Sequence, residues 1–166
     1  MGRTVARTET IKKEKPVTGM VKKRPKTVPA APCRRHKVFV SHSSKDEWVA
    51  KQMASEIEEV GAETFLDVKD IGVGDRFTDA IRDAINSADE LVALLTPSAV
   101  KSHFVITEIG IAWARRIPIA GLLHGIKVDK VLHNSVIRSF LGDTNMQPLN
   151  EFPRYKENLM ARVRKF

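Results

Sequence analysis

The stretch ELVALLT, at residues 90–96, places five apolar residues in a row between Glu90 and Thr96, and Pro97 follows directly. A short, uninterrupted apolar run of this kind is typical of a strand that is buried on both faces of a parallel sheet. Such a sheet is covered by helices on both sides. The stretch therefore predicts an α/β domain with this strand near its centre.

Short apolar runs and helical patterns alternate on both sides of that stretch. Four further strands are predicted, at KVFV (37–40), AETFLD (62–67), IPIAGLL (117–123) and MQPLN (146–150). Apolar residues at helical spacing predict helices between them, at 44–60, 77–88, 98–116 and 152–166. The first helix is expected to begin with a capping box of Ser44 and Glu47. Residues 124–147 carry no legible pattern.

The basic charge of the chain lies in its first 36 residues. They hold 11 Lys and Arg against two Glu, a net charge of +9. The remaining residues carry a net charge of −1, which gives the chain its total of +8. This segment of 36 residues contains four prolines, no aromatic residue and no apolar period. Such a composition predicts a disordered basic tail over 1–36, followed by a folded domain over 37–166. The run KKRPK at 22–26 could contact nucleic acid or an anionic surface. The alternative, a solubilising or leader segment, is favoured because no aromatic residues are interleaved for base stacking.

Several classes of protein are not supported by the sequence. Cys33 is the only cysteine, which excludes an intramolecular disulfide and fits a reducing compartment. No secretion signal and no apolar run of roughly 18 residues is present, so we expect a cytoplasmic protein without a membrane span. The five histidines lack ligand spacing, so no metal site is predicted. Gly72 and Gly74 do not form a dinucleotide fingerprint, because Phe77 stands where its third glycine belongs.

A set of motifs in order along the chain resembles the Toll/interleukin-1 receptor (TIR) domain family. They are VFVSHSSKDEW, FLDVKDIGVGDRF, LTPS at a strand end, Ser102-x-Phe104-x-x-x-Glu108 and MQPLNEF before a helix. The resemblance runs from about residue 37 to 165 and is to the bacterial, NAD-cleaving type. One departure is Phe104, where the family usually carries Trp.

The resemblance implies a flavodoxin-like, doubly wound fold with a five-stranded, mainly parallel sheet in the order 2-1-3-4-5. It implies an NAD+ glycohydrolase or cyclase that releases nicotinamide and forms ADP-ribose or a cyclic form of it, in immune, antiviral signalling. NAD+ is then the substrate, no cofactor is needed, and self-association with other TIR domains is expected. The alternative is a non-catalytic adaptor that binds other TIR domains through residues 67–75. A nucleic-acid-associated protein acting through its tail is a third class.

The resemblance also implies roles for particular residues. Glu108 matches the catalytic glutamate of the enzymes in the family. Nicotinamide leaves a pyridinium as a neutral group, so no acid has to protonate it, and one carboxylate can stabilise the positive charge that develops on ribose. Phe104 precedes Glu108 by one helical turn and would form an aromatic wall of the same cleft. Substrate-binding positions are expected at Ser41, His42, Ser43, Asp67, Gly74, Phe77 and Phe104.

Each of these residues also has a structural interpretation. A glutamate on an amphipathic helix is usually a solvated charge, and an aromatic residue such as Phe104 is more often part of the core. The residues of the SHS motif are as well suited to capping the first helix as to contacting a substrate. Gly72 and Gly74 are suited to turns.

Overall fold

A computed structural model describes residues 1–2, 34–66 and 77–165 of the chain, and its elements follow one another as strand and helix. The strands are β1 (Lys37–Ser41), β2 (Glu63–Leu66), β3 (Glu90–Leu95), β4 (Ile119–Leu123) and β5 (Met146–Pro148). The helices are α1 (Glu47–Glu59), α2 (Phe77–Ser87), α3 (His103–Ala114), α4 (Val128–His133), α5 (Ser135–Leu141) and α6 (Phe152–Val163). Short 3₁₀ turns cover Ser44–Asp46, Ala99–Lys101 and Leu149–Glu151.

The five strands form one sheet in the order β2-β1-β3-β4-β5. All four neighbouring pairs are parallel, and β1 lies between β2 and β3, the two strands that follow it in sequence. The predicted doubly wound topology is confirmed. The chain changes direction across the sheet between β1 and β3, which is where open α/β sheets form a ligand crevice at the carboxyl ends of their strands.

The central strands are mostly apolar because both of their faces are covered. In β3, Leu91, Ala93 and Leu95 pack into the core that includes α3 and α5. Val92 and Leu94 point to the opposite face and pack against residues of α1 and α6. All six residues of β3 are buried, as the sequence predicted.

Two of the predicted helices differ from the structure near their starts. Ser43, not Ser44, caps the turn before α1, and α1 itself begins at Glu47 without a side-chain cap. The predicted helix over 98–116 is divided, because Ser102 is extended and caps a separate helix that starts at His103. Local hydrogen bonds from serine side chains compete with a continuous helix at these points.

The segment without a legible pattern contains two short helices, α4 and α5. Asn134 separates them, and its Oδ1 accepts hydrogen bonds from the backbone N–H groups of Val136 and Ile137 at 3.0 and 3.2 Å. Each helix buries only one or two residues: Val131 in α4, and Ile137 and Leu141 in α5. Helices this short have too few apolar positions to show a period in sequence.

The amino ends of β1 and β3 carry a group of charged side chains. His36, which we assigned to the tail, is 4% exposed, and its Nε2 lies 3.2 Å from Oε2 of Glu90. The Arg34 guanidinium donates to Asp89 at 2.8 Å. Ordered contacts therefore begin before β1.

None of the helices in the described part of the chain is long and apolar enough to cross a membrane.

Candidate active site

Glu108 and Ser41 meet at the carboxyl end of β1. Ser41 is the last residue of that strand and is fully buried, and Glu108 on α3 is 2% exposed. The Ser41 hydroxyl donates a hydrogen bond of 2.5 Å to Oε2 of the Glu108 carboxylate. The interpretation of Glu108 as a solvated surface charge is therefore wrong.

The sequence of α3 explains why the carboxylate faces inward. Ser102 caps the helix through a 3.4 Å hydrogen bond from the Val105 backbone N–H. Val105, Ile109 and Ala112 are fully buried and fix which side of the helix faces the sheet. Glu108 lies next to that apolar stripe, so the packing of its neighbours carries it to the end of β1.

The three residues of the SHS motif have different surroundings. Ser41 contacts Glu108, whereas Ser43 accepts a hydrogen bond from the Lys45 backbone N–H at 3.2 Å and caps the following turn. His42 is 2% exposed, with Nδ1 3.3 Å from the Val40 carbonyl oxygen. That carbonyl can only accept, so the contact requires the proton on Nδ1. Ser43 therefore caps the turn before α1, and no side chain caps α1 itself.

Phe104 lies one turn before Glu108 and is 58% exposed. The interpretation of this ring as a core residue is therefore wrong. The exposed ring therefore lies on the helical turn next to a buried carboxyl group. Asp67 and Gly74 lie outside the described residues. Phe77 opens α2, and its side chain is likewise outside the description.

A crevice of about 350 Å³ lies between the residues that follow β1 and those that follow β3, and neither Ser41 nor Glu108 lines it. Its lining includes two lysines that the sequence did not single out, Lys45 and Lys101. Thr96 ties the two sides together: its hydroxyl donates to Asp46 at 2.6 Å and accepts from the Ala99 backbone N–H at 2.9 Å. The sequence does offer a signal for Lys45 and Lys101, because each lies in a polar segment that follows a central parallel strand.

The arrangement suits chemistry that needs one oriented carboxylate. A buried charge is strong electrostatically because little water screens it. Ser41 holds one oxygen, which fixes the direction of the carboxylate. In the described part of the chain, no three His, Cys, Asp or Glu side chains are grouped so that they could hold a metal ion.

Comparisons with known proteins agree with this fold. A protein-family model described as "TIR domain" matches residues 38–149. The probable 2′ cyclic ADP-D-ribose synthase BdTIR of Brachypodium distachyon is 28% identical over 100 residues, which cover 59% of this chain and 45% of that protein. The chain thus matches less than half of that relative's length.

Two solved structures share the fold at low sequence identity. The TIR domain of the Toll-related receptor TRR-2 from Hydra magnipapillata is 21% identical with a TM-score of 0.59, and the match covers 76% of this chain and 97% of that one. The CMP N-glycosidase BcmB of Clostridium botulinum is 24% identical with a TM-score of 0.50, and the match covers 74% of this chain and 97% of that one.

Proposed function

The chain belongs to the TIR domain family, whose model matches residues 38–149, and from this membership we propose that it cleaves the bond between nicotinamide and ribose in NAD+. Glu108 is the catalytic residue of this proposal. The products are nicotinamide and either ADP-ribose or a cyclic form of it. The reaction serves immune, antiviral signalling.

The observation that carries the proposal is the buried contact between Glu108 and Ser41. A carboxylate that is 2% exposed, with one oxygen held at 2.5 Å by the hydroxyl at the end of β1, has a fixed position in the fold. Nicotinamide departs as a neutral molecule, so the chemical demand falls on the ribose carbon, where positive charge develops. A fixed negative charge stabilises that transition state more than the uncleaved substrate, which is the requirement for catalysis.

The other predicted site residues bind the substrate or position Glu108, and none of them takes part in the bond cleavage itself. Phe104 offers an exposed ring one turn from the carboxylate, and a pyridinium or adenine ring would stack on it. Ser41 positions Glu108, while His42 and Ser43 shape the end of β1 without facing a reacting atom. Asp67, Gly74 and Phe77 belong to the proposed site on the family resemblance alone.

The fate of the ribose cation depends on which nucleophile captures it. Water gives ADP-ribose, and a hydroxyl or ring nitrogen of the same molecule gives a cyclic product. The name of the Brachypodium relative describes a cyclic ADP-ribose synthase, which supports the second outcome at 28% identity. The BcmB structure, named as an N-glycosidase, is an example of N-glycosidic cleavage on a similar fold.

The experiment that tests the proposal is incubation of concentrated protein with NAD+, with released nicotinamide and the ribosyl product separated by chromatography. Nicotinamide release that depends on Glu108 identifies an enzyme, and the retention of the second product distinguishes hydrolysis from cyclisation. The alternative, a non-catalytic module that binds other TIR domains, predicts that NAD+ is recovered intact at every protein concentration.

A further inference from the structure

A second crevice, of about 930 Å³, lies outside the carboxyl ends of three neighbouring strands. Leu123 ends β4, Pro148 ends β5 and Pro97 follows β3, and together they form an apolar floor. Lys101, Lys127 and Lys130 lie around it. We call this the basic crevice.

The basic crevice differs from the Glu108 site in its lining. Neither Ser41 nor Glu108 lines it, and it shares only Pro97 and Lys101 with the smaller crevice between the residues after β1 and those after β3. A ligand in the basic crevice would therefore make most of its contacts with residues after β4 and with α4. These elements take no part in the proposed cleavage.

The charge of the basic crevice is uncompensated in the described part of the chain. All three lysines are exposed, none of them forms an ion pair with a described residue, and no described lining residue is acidic. Three like charges around one depression repel each other and raise the local concentration of anions. A phosphate group accepts hydrogen bonds from lysine ammonium groups and offsets that repulsion.

The size of the basic crevice and its apolar floor indicate which class of anion it would bind. Pockets of roughly 300 to 1,000 Å³ suit small organic molecules, and such pockets are mostly apolar with a few placed polar groups. Inorganic phosphate would leave the floor of Pro97, Leu123 and Pro148 uncovered. We propose that the basic crevice binds a nucleoside diphosphate, with its phosphates at the three lysines and its base and sugar on the apolar floor. This inference goes beyond the proposed cleavage and does not depend on it.

Calorimetric titration of the full chain with ADP at low ionic strength tests the inference. We expect measurable binding by the parent and at least a tenfold loss of affinity in the double variant Lys127→Glu/Lys130→Glu. Arg164→Glu/Lys165→Glu, directly after α6, is the matched control, since both residues are exposed and the change in net charge is the same. Its affinity should stay within twofold of the parent. Lys127→Gln/Lys130→Gln removes both positive charges without adding negative ones, and it should also weaken binding. This variant replaces the charge-reversed pair if that pair fails to fold.

Three results would overturn the inference. They are no binding of ADP by the parent, equal affinities of the two charge-reversed variants, and binding of inorganic pyrophosphate as tight as that of ADP. Equal affinities would mean that ADP occupies another part of the molecule, such as the smaller crevice after β1 and β3. Glu108→Gln should bind ADP as the parent does, so this test can fail or succeed independently of NAD+ cleavage.

Discussion

Glu108 is a carboxyl group buried in the interior at the end of β1. A carboxylate removed from water loses solvation, and the hydrogen bond from the Ser41 hydroxyl returns part of it. Gln would fill the same space without the charge. The change Glu108→Gln therefore separates the charge of this side chain from its packing.

Phe104 provides a test of the exposed ring. We expect Phe104→Ala to lower the rate of NAD+ cleavage by about tenfold, since stacking of rings is worth on the order of 1 kcal/mol. Phe104→Trp should preserve or raise that rate, because the larger ring keeps the stacking surface. The rates are measured as nicotinamide release at equal protein concentration.

Trp113→Ala is the control for that pair, because Trp113 is another exposed aromatic residue of α3, 53% exposed, and it packs against Phe140 rather than lying one turn from Glu108. Rates for Phe104→Ala and Phe104→Trp that both equal the parent rate would remove Phe104 from the proposed site.

The sequence singled out Glu108 as the candidate catalytic residue, but it did not predict the contact of Glu108 with Ser41. Its spacing from Ser102 and Phe104 supported the resemblance, and the stripe of Val105 and Ile109 indicated which side of α3 is buried. Whether a residue beside such a stripe is solvated or enclosed depends on what lies opposite. Here that partner is Ser41, which is 67 residues away in sequence, so no local pattern could reveal it.

Asn134 joins two elements that the sequence did not predict. Its Oδ1 caps α5, while its Nδ2 donates to the Val100 carbonyl at 3.1 Å. We expect Asn134→Ala to lower the free energy of unfolding by about 1 to 2 kcal/mol, because it removes a cap and leaves a carbonyl without this donor. Chemical denaturation measures the change, and Asn158→Ala in α6 is the control. Equal stability of the two variants would contradict the capping role.

Tyr155 fastens α6 to the start of β3, and its hydroxyl donates to Glu90, which also pairs with Arg162 at 2.8 Å. Burial, and then the negative charge of Glu90 and the hydrogen bond to it, raise the pKa of Tyr155 well above its usual 10.0, although Arg162 opposes the shift. Folding therefore favours the protonated phenol. Its contribution to stability is fully present below the unfolded pKa of 10.0 and is lost as pH rises towards the folded value.

The prediction is that thermal stability of the parent falls above about pH 10 more steeply than that of Tyr155→Phe. The comparison is direct because Tyr155 is the only tyrosine in the chain. Lysines titrate in the same range in both proteins, so the difference between their two melting curves isolates the phenol. Parallel curves from pH 8 to pH 11 would show that the buried hydrogen bond has no such effect.

At the scale of elements, strands were easier to predict than helix boundaries. A strand covered on both faces is mostly apolar, so β3 was visible as the apolar run that follows Glu90. Helix starts depend on which serine turns its side chain to the backbone, and Ser43 and Ser44 are equivalent in sequence. Two short helices with few buried residues leave no period at all, which is why α4 and α5 were not predicted.

Self-association is a property of the whole molecule, and the family resemblance implies it for this chain. We expect the loop 67–75 of one copy to complete the cleft of another, so the activity of each molecule should rise with protein concentration. That loop lies outside the described residues, and the expectation rests on its sequence, in which charged residues surround Ile71 and Val73. Ile71→Asp should lower activity without unfolding the protein. Specific activity that stays constant over a hundredfold dilution would exclude a weak assembly.

The basic tail was predicted from its composition alone, and so was its separation from the domain. Residues 3–33 lie outside the described part of the chain, so disorder there stays a prediction, as do contacts with nucleic acid or an anionic surface. Arg34 and His36 do contact Asp89 and Glu90. Composition could not reveal these contacts, because they depend on where β3 begins in space.

The most direct test of the account compares nicotinamide release from NAD+ by the parent, Glu108→Gln and Glu157→Gln at one high protein concentration. Glu157 is exposed on α6, so its variant makes the same chemical change away from the site. We predict that Glu108→Gln loses at least a hundredfold in rate while its melting temperature stays within about 4 °C of the parent, roughly the shift that 1 kcal/mol causes in a domain of this size. Glu157→Gln should match the parent. Undiminished nicotinamide release by a folded Glu108→Gln protein would contradict the account.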